Sequence, residues 1–352
     1  MKIWIDLRTK FTTNNFLLDE IINIFLEELS KNKDHFFNIY LSKKNNIKKE
    51  FKNMDFFYLN YEETSIENQI SHKNLLNEHK NDLILFFGLW RPIFYRWKNI
   101  LIINNLDNLL YETEEVNNFA KKFKYFFLLE YSCFHTEKIL AFNKESQIIL
   151  NEKVNIPEEK IEINYPFFFK KELEEIEDIT QKNQFLIYNS WNSKQNLEII
   201  LESIYEYNKQ NIEKLDLVIV WEDYDDIKLR KKALELDLIN NIKEVENNSK
   251  HLKWYYKNAI CTIYPSYFEN FPIELNDAIS FNSPILAAQT ESIKEIFQDK
   301  IKYFKHSSKL DFLKKLEELK KQKINPDYTE FFEKYSLEKF NKNLMDNIKN
   351  IS

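Results

Sequence analysis

With 352 residues and 43% of them hydrophobic, the chain has the length and apolar content for two domains, each with its own core. A net charge of −6 leaves no global polycation, so no nucleic-acid partner is expected. The two cysteines, Cys133 and Cys261, sit in apolar surroundings and exclude a disulfide framework or a Cys/His metal cluster. No signal peptide and no apolar run long enough to span a bilayer is read, so a reducing cytoplasm is the expected compartment.

One glycine, Gly88, stands in the whole chain, against a usual share of about 7%. Arginine is also scarce, while Lys, Asn, Ile, Phe and Tyr are abundant. These are residues of A/T-rich codons, so drift in base composition explains the missing glycines more simply than loss of activity does.

The first six residues, Met1 to Asp6, read as a short strand, and Thr12 to Asn15 as a turn. From Phe16 to Leu29, apolar residues at 17, 18, 21, 22, 25, 26 and 29 predict an amphipathic helix. Strands recur at Phe36–Tyr40, Phe56–Leu59, Leu83–Phe87 and Ile100–Ile103 with helical or polar stretches between them. That alternation predicts a parallel sheet. Another strand is read at Lys138–Asn143, followed by a helix from Lys144 to about Asn151. The segment from Pro157 to Pro166 reads as a linker strand. The acidic run from Lys170 to Asp178 reads as a solvated connector between domains.

Two basic-aromatic stretches stand out, Trp90 to Lys98 and Phe119 to Phe127. Either could touch a membrane surface or an anionic lipid-linked acceptor. For the second, the favoured expectation is a core-packed helix with snorkelling lysines.

A second alternation begins with strand Phe185–Tyr188 and helix Leu197–Tyr207. Leu217–Trp221 is a buried strand ending in Glu222-Asp223-Tyr224-Asp225-Asp226. Asp223-Tyr224-Asp225 has the form of a divalent-metal motif, but short acidic strings are common, and no metal is assigned to it. The helix Leu252–Ala259 leads into the strand Ile260–Tyr264. Pro265-Ser266 stops that strand, and Glu269 follows in a polar turn. Pro272 suits a first helical turn, where no amide donor is needed. A short helix runs through Phe281, Asn282-Ser283-Pro284 breaks it, and Ile285–Ala288 is the next buried strand. Asp277 lies about a turn and a half into that helix. Helical side chains lean toward the N-terminus, so Asp277 can hang back toward the mouth where Glu269 stands. Free amides and the helix dipole there suit a phosphate, and the carboxylates suit sugar hydroxyls.

This stretch resembles the signature of retaining GT-B glycosyltransferases of the family-4 type (glycosyl transferases group 1), PS-x-x-EGFGLPxLEA-x-x-x-G-x-PV. Glu269-Asn270-Phe271 stands for EGF, Asp277-Ala278 for the final EA, and Asn282-Ser283-Pro284-Ile285 for G-x-PV. Asn270 and Asn282 replace glycines, and Asn is the residue that best tolerates a left-handed backbone in their place. Elsewhere the likeness is looser: Asn14-Asn15 take the positions of a GG-rich loop. Asn104-Asn105 take those of a His-Asp pair, or Asp107 does in another register. Lys194 lies one place before Gln195, which takes the position of a basic residue. The chain end, Tyr335 to Ile351, looks like that fold's final helix.

The resemblance implies an α/β chain of two Rossmann-like domains (GT-B) with a cleft between them and a C-terminal helix crossing back to the first domain. It divides as 1–168 for the acceptor, 169–334 for the donor nucleotide, and 335–352 for the returning helix. The implied activity is transfer of a sugar from a nucleotide-sugar donor to a glycan, lipid-linked or protein acceptor, with retained configuration and no metal or other cofactor. Glu269, Asn104 and Lys194 are the implied catalytic residues. Asp277, Asn270, Phe271, Ile273, Ser190 and Glu295 would bind the donor, and Asn14, Asn15 and Asn105 would lie on the acceptor side. Two rivals share the fold: a non-catalytic module that binds sugar nucleotide or a partner, and a sugar-nucleotide epimerase.

Overall fold

The computed structural model describes residues 1–7, 16–42, 47, 50–59, 66–79, 81–88, 91–92, 95, 97–103, 106, 119–174, 184–189, 196–221, 227–247, 249–266, 270–322 and 324–351. The chain forms two compact units, Met1–Pro166 with Leu337–Ser352, and Phe167–Ser336.

The first unit is built on β1 (Lys2–Asp6), β2 (Phe36–Ser42), β3 (Met54–Leu59), β4 (Leu83–Phe87), β5 (Asn99–Ile103), β6 (Lys138–Ala141) and β7 (Ile161–Ile163). Their order in the sheet is β3-β2-β1-β4-β5-β6-β7, and every pairing among them is parallel. β4 and β5 are buried along their whole length, as continuous apolar runs in the middle of a parallel sheet must be. The helix Leu337–Ile351 belongs to this unit. Its apolar stripe of Phe340, Leu344, Met345 and Ile348 is buried, and the Phe340 ring lies edge-on to Phe25 and Phe142. Polar ties fix it as well: Asn164 Nδ2 donates to Phe340 O at 3.3 Å and Asn347 Nδ2 to Glu162 Oε1 at 3.1 Å.

The second unit repeats the plan with β8 (Gln184–Asn189), β9 (Leu215–Trp221), β10 (Ile242–Glu246), β11 (Cys261–Tyr264), β12 (Ile285–Ala288) and β13 (Lys302–Phe304). The order is β10-β9-β8-β11-β12-β13, again parallel throughout. Helices Leu197–Gln210 and Lys309–Gln322 cover one face, where Ile200, Ile204, Phe312 and Leu316 meet Leu186, Leu217, Ile263 and Leu286. Each sheet therefore has the strand order of a doubly wound α/β domain, in which the chain steps from one side of the first strand to the other. This is the two-domain α/β class that the sequence alternation predicts.

Three local expectations change. The linker stretch 157–166 is a single 3₁₀ turn, Glu158–Lys160, followed by the three-residue edge strand β7. The connector is not simply solvated: the Lys171 side chain is 10% exposed and points into the second unit. The third change concerns the helix Phe119–Phe134, whose sheet-facing side is Tyr125, Leu128, Leu129, Ser132 and Cys133. That face is complete without the phenylalanines half a turn away. Phe123, Phe127 and Phe134 are therefore left 66%, 52% and 65% exposed, in place of the core-packed helix expected. In the neighbouring basic stretch Arg91 is buried, donating to the carbonyls of Tyr95 and His135, so it holds a loop and does not face outward. Both cysteines are core residues, and burial pushes the Cys133 thiol up to about 12.

Candidate functional site

In the second unit β8 and β11 are neighbours, but the chain leaves β8 toward β9 and leaves β11 toward β12. The carboxyl ends of these two strands form the topological switch point, the place where open α/β sheets hold ligands. β8 ends at Asn189 and β11 at Tyr264. Ser190 and Lys194 follow the first, and Glu269 follows the second. All three lie outside the described residues, as do Asn14, Asn15, Asn104 and Asn105 of the first unit and the Asp223-Tyr224-Asp225 string.

The described part of the signature starts at Asn270, which is buried, as is Phe271. The Phe271 ring lies 4.6 Å from Phe168 and 5.8 Å from Tyr335, so this side chain is a core anchor for the loop. Pro272 precedes a 3₁₀ turn, Ile273–Leu275, with Ile273 half-buried, and the α-helix proper is Asn276–Ser280. The amides of Ile273, Leu275 and Asn276 already bond the carbonyls of Phe271, Pro272 and Ile273. The mouth of this helix thus offers fewer free N–H groups than a regular α-helical start would.

Asn282 has φ 53, the left-handed conformation that a glycine would hold at no cost. Its Oδ1 accepts from Tyr328 N at 3.2 Å, a fixture no glycine could supply. Ser283 is buried and shares a 2.8 Å hydrogen bond with Thr262, tying the end of the helix segment to β11.

Asp277 is 2% exposed, and its Oδ2 lies 3.3 Å from Lys171 Nζ. Its second oxygen, Oδ1, is buried with no hydrogen-bond partner among the described residues. Burial pushes the Asp277 carboxyl above its ordinary range, and Lys171 opposes that rise. The segment carrying Lys171 is stitched to the same helix. Phe169 N donates to Asn276 Oδ1 at 2.9 Å, Lys171 N donates to Ser280 Oγ at 3.1 Å, and Ser280 Oγ donates to Phe169 O. Lys253 Nζ adds a bond to Leu173 O at 3.0 Å. Glu295 stands half-buried in the helix Glu291–Phe297, whose start is capped by Thr290 Oγ1 accepting from Ile293 N.

Lys171, Asn276 and Ser280 escape a sequence reading, because their partners lie more than a hundred residues away and leave no local pattern. In the first unit a comparable feature is the buried pair of Asp6 Oδ2 and His72 Nε2 at 3.4 Å. Asp6 ends β1, beside β4, at that sheet's own switch point. Gly88, with φ 130, follows β4 directly, a backbone conformation essentially reserved for glycine. Among the described residues no group of three or more His, Cys, Asp and Glu side chains could hold a metal ion. No helix among them is long and apolar enough to cross a membrane.

Residues 169–336 match the family model of glycosyl transferases group 1. No curated protein sequence matches the chain. Among solved structures, a glycosyltransferase from Rickettsia africae superposes with TM-score 0.68 at 11% identity, over 99% of this chain and 98% of that one. Sucrose-phosphate synthase from Thermosynechococcus elongatus gives 0.70 at 10% identity, over 97% and 94%. The Anabaena protein Alr3699/HepE, solved with UDP and glucose, gives 0.69 at 11% identity, over 99% and 100%. At such identities the likeness is one of fold. The chain has the GT-B-like fold of these proteins, and nearly all of its second unit is similar to the glycosyl transferases group 1.

Proposed function

We propose that the chain is a glycosyltransferase of the retaining, family-4 type. In this reading it moves a sugar from a nucleotide-sugar donor to a glycan, lipid-linked or protein acceptor. The observation that supports it most is the coincidence of the group 1 match, residues 169–336, with the unit whose switch point carries the signature loop. The Anabaena protein, solved with UDP and glucose, supports a nucleotide-sugar donor for this reading.

The donor is assigned to the second unit. Asp277 Oδ2 is occupied by Lys171, and its Oδ1, which has no partner among the described residues, is the acceptor assigned to a ribose hydroxyl. A buried acceptor without a partner is costly, so a ligand hydroxyl that satisfies it binds with that cost relieved. Glu269 is assigned to the donor-sugar hydroxyls, and Lys194 to the diphosphate. Asn270, Phe271, Ile273, Ser190 and Glu295 complete or support the donor side. Asn104 stays with the reacting centre, and Asn14, Asn15 and Asn105 with the acceptor. Departure of the diphosphate is helped by fixed positive charge, an electrostatic role that requires no metal. Neither Asn104 nor Asn105 titrates near neutrality, so no proton transfer is routed through them.

The test is release of nucleoside diphosphate from a panel of nucleotide sugars, measured with and without glycan and lipid-linked acceptors. Acceptor-dependent release supports transfer. Release without transfer to any acceptor, with the donor sugar epimerised, points to the epimerase. Nucleotide binding with no turnover at all points to the non-catalytic module.

A further inference from the structure

We infer that Asn276 and Lys171 act with Asp277 to read the paired 2′- and 3′-hydroxyls of the donor nucleotide's ribose, so that the chain selects ribonucleotide over deoxyribonucleotide donors. The inference rests on the reading of the second unit as the donor unit. The observation is a set of buried polar groups that the fold leaves incomplete. Asn276 is 1% exposed, Asp277 is 2% exposed, and the Lys171 side chain is 10% exposed. Asn276 Oδ1 accepts from Phe169 N at 2.9 Å, which fixes the amide and identifies Nδ2 as its other end. Nδ2 is buried with no hydrogen-bond partner among the described residues, and so is Asp277 Oδ1. Lys171 Nζ carries three hydrogens and, among the described residues, makes one bond, to Asp277 Oδ2.

The three groups stand together. Burial raises the Asp277 carboxyl, and Lys171 opposes that rise. The Asn276 amide beside the carboxyl opposes it too, although Nδ2 meets neither oxygen in full hydrogen-bonding geometry. Folded proteins leave few buried polar atoms unpaired. Two on adjacent residues of one five-residue helix point to a partner from outside the chain.

Chemistry selects that partner. The site offers one acceptor, Oδ1, beside two donors, Nδ2 and Nζ. A phosphate brings acceptor oxygens, so it would leave Oδ1 unpaired and stand against the Asp277 charge. A hydroxyl both donates and accepts, and two on neighbouring carbons satisfy all three groups. One donates to Oδ1, and the two oxygens accept from Nδ2 and Nζ. Ribose carries such a pair and 2′-deoxyribose does not. In the signature that this stretch resembles, leucine holds the position of Asn276, so this donor is an addition to the signature. The transferred sugar carries neighbouring hydroxyls as well, and nucleotides without that sugar separate the two sources.

The experiment is calorimetry of the full chain with uridine, guanosine and adenosine diphosphates, each beside its 2′-deoxy and 3′-deoxy forms. The ribonucleotide that binds tightest should exceed its deoxy forms at least about tenfold in affinity. Asn276→Leu and Lys171→Met should each bring one of those ratios within about threefold. Each ratio is taken on one protein, so a loss of folded fraction cancels, and a merely structural role would leave the ratio unchanged. Equal affinity for ribo and deoxy forms overturns the proposal and leaves the donor assignment standing. Discrimination that both variants retain overturns the roles of Asn276 and Lys171. Binding of no nucleoside diphosphate overturns the donor reading, and the proposal with it.

Discussion

Lys171 Nζ lies 3.3 Å from Asp277 Oδ2, joining the segment that enters the second unit to the helix of the signature 106 residues later. Both side chains are nearly buried, and the backbone around Lys171 is held by Asn276 and Ser280 of that same helix. The ion pair is thus one element of a clamp. Removing one partner leaves the other charge in a poorly solvated place, which is the costly way to break a buried pair. Lys171→Met should therefore destabilise the second unit by about 3–5 kcal/mol. Lys171→Met/Asp277→Asn should cost less than the two single changes added together, by at least about 1 kcal/mol. Hydrogen exchange along β11, β12 and the helix between them measures this locally. Strict additivity would show that the two side chains do not depend on each other.

The same carboxylate sets a pH dependence. Burial holds the folded Asp277 above its ordinary value of 3.8, against the pull of Lys171. The folded state then binds more protons than the unfolded one between those two values, so stability falls with rising pH across that window. The contribution is fully present below about 3.8 and is lost as pH climbs through the folded value. Asp277→Asn should remove this part of the slope in denaturant titrations run at a series of acidic pH values. Parallel curves for parent and variant would place the proton elsewhere.

Asn282 combines a left-handed backbone with a side-chain bond to Tyr328 N. Asn282→Ala should lose both, at about 2 kcal/mol in all, from roughly 1 for the conformation and roughly 1 for the hydrogen bond. Asn282→Gly keeps the conformation and should cost about 1 kcal/mol or less. Urea unfolding of the three proteins settles the order. Equal losses for Ala and Gly would mean that the hydrogen bond carries the whole effect.

The contrast between Asn282 and Lys171 shows what the sequence could carry. β11, the helix after it and β12 were legible because apolar runs, a proline and a left-handed-tolerant Asn follow one another between Ile260 and Ala288. The structure places those elements within a few residues of the reading. The parallel α/β class follows from the same local alternation. Lys171 read as part of a solvated acidic run, because the carboxylate that draws it inward is remote in sequence and gives no local signal. The exposed face of the helix Phe119–Phe134 was hidden for the opposite reason. Aromatic residues stand on nearly all sides of that helix, and only the packed sheet decides which set is covered. Asp6 ends a buried strand and His72 sits in a polar helix, so nothing in either neighbourhood announces the other.

The reading of the chain as a transferase rests most directly on Glu269, which follows β11 in the signature and is assigned to the donor sugar and not to the nucleotide. Glu269→Gln keeps the size and one acceptor oxygen while removing the charge. The decisive measurement is paired: single-turnover sugar transfer and nucleoside diphosphate calorimetry on the same folded variant. Transfer should fall by about 10²-fold or more, on the order of 3 kcal/mol of transition-state stabilisation, with nucleotide affinity unchanged. Transfer and nucleotide affinity falling by the same factor would contradict the assignment, and transfer at the parent rate would contradict the account as a whole.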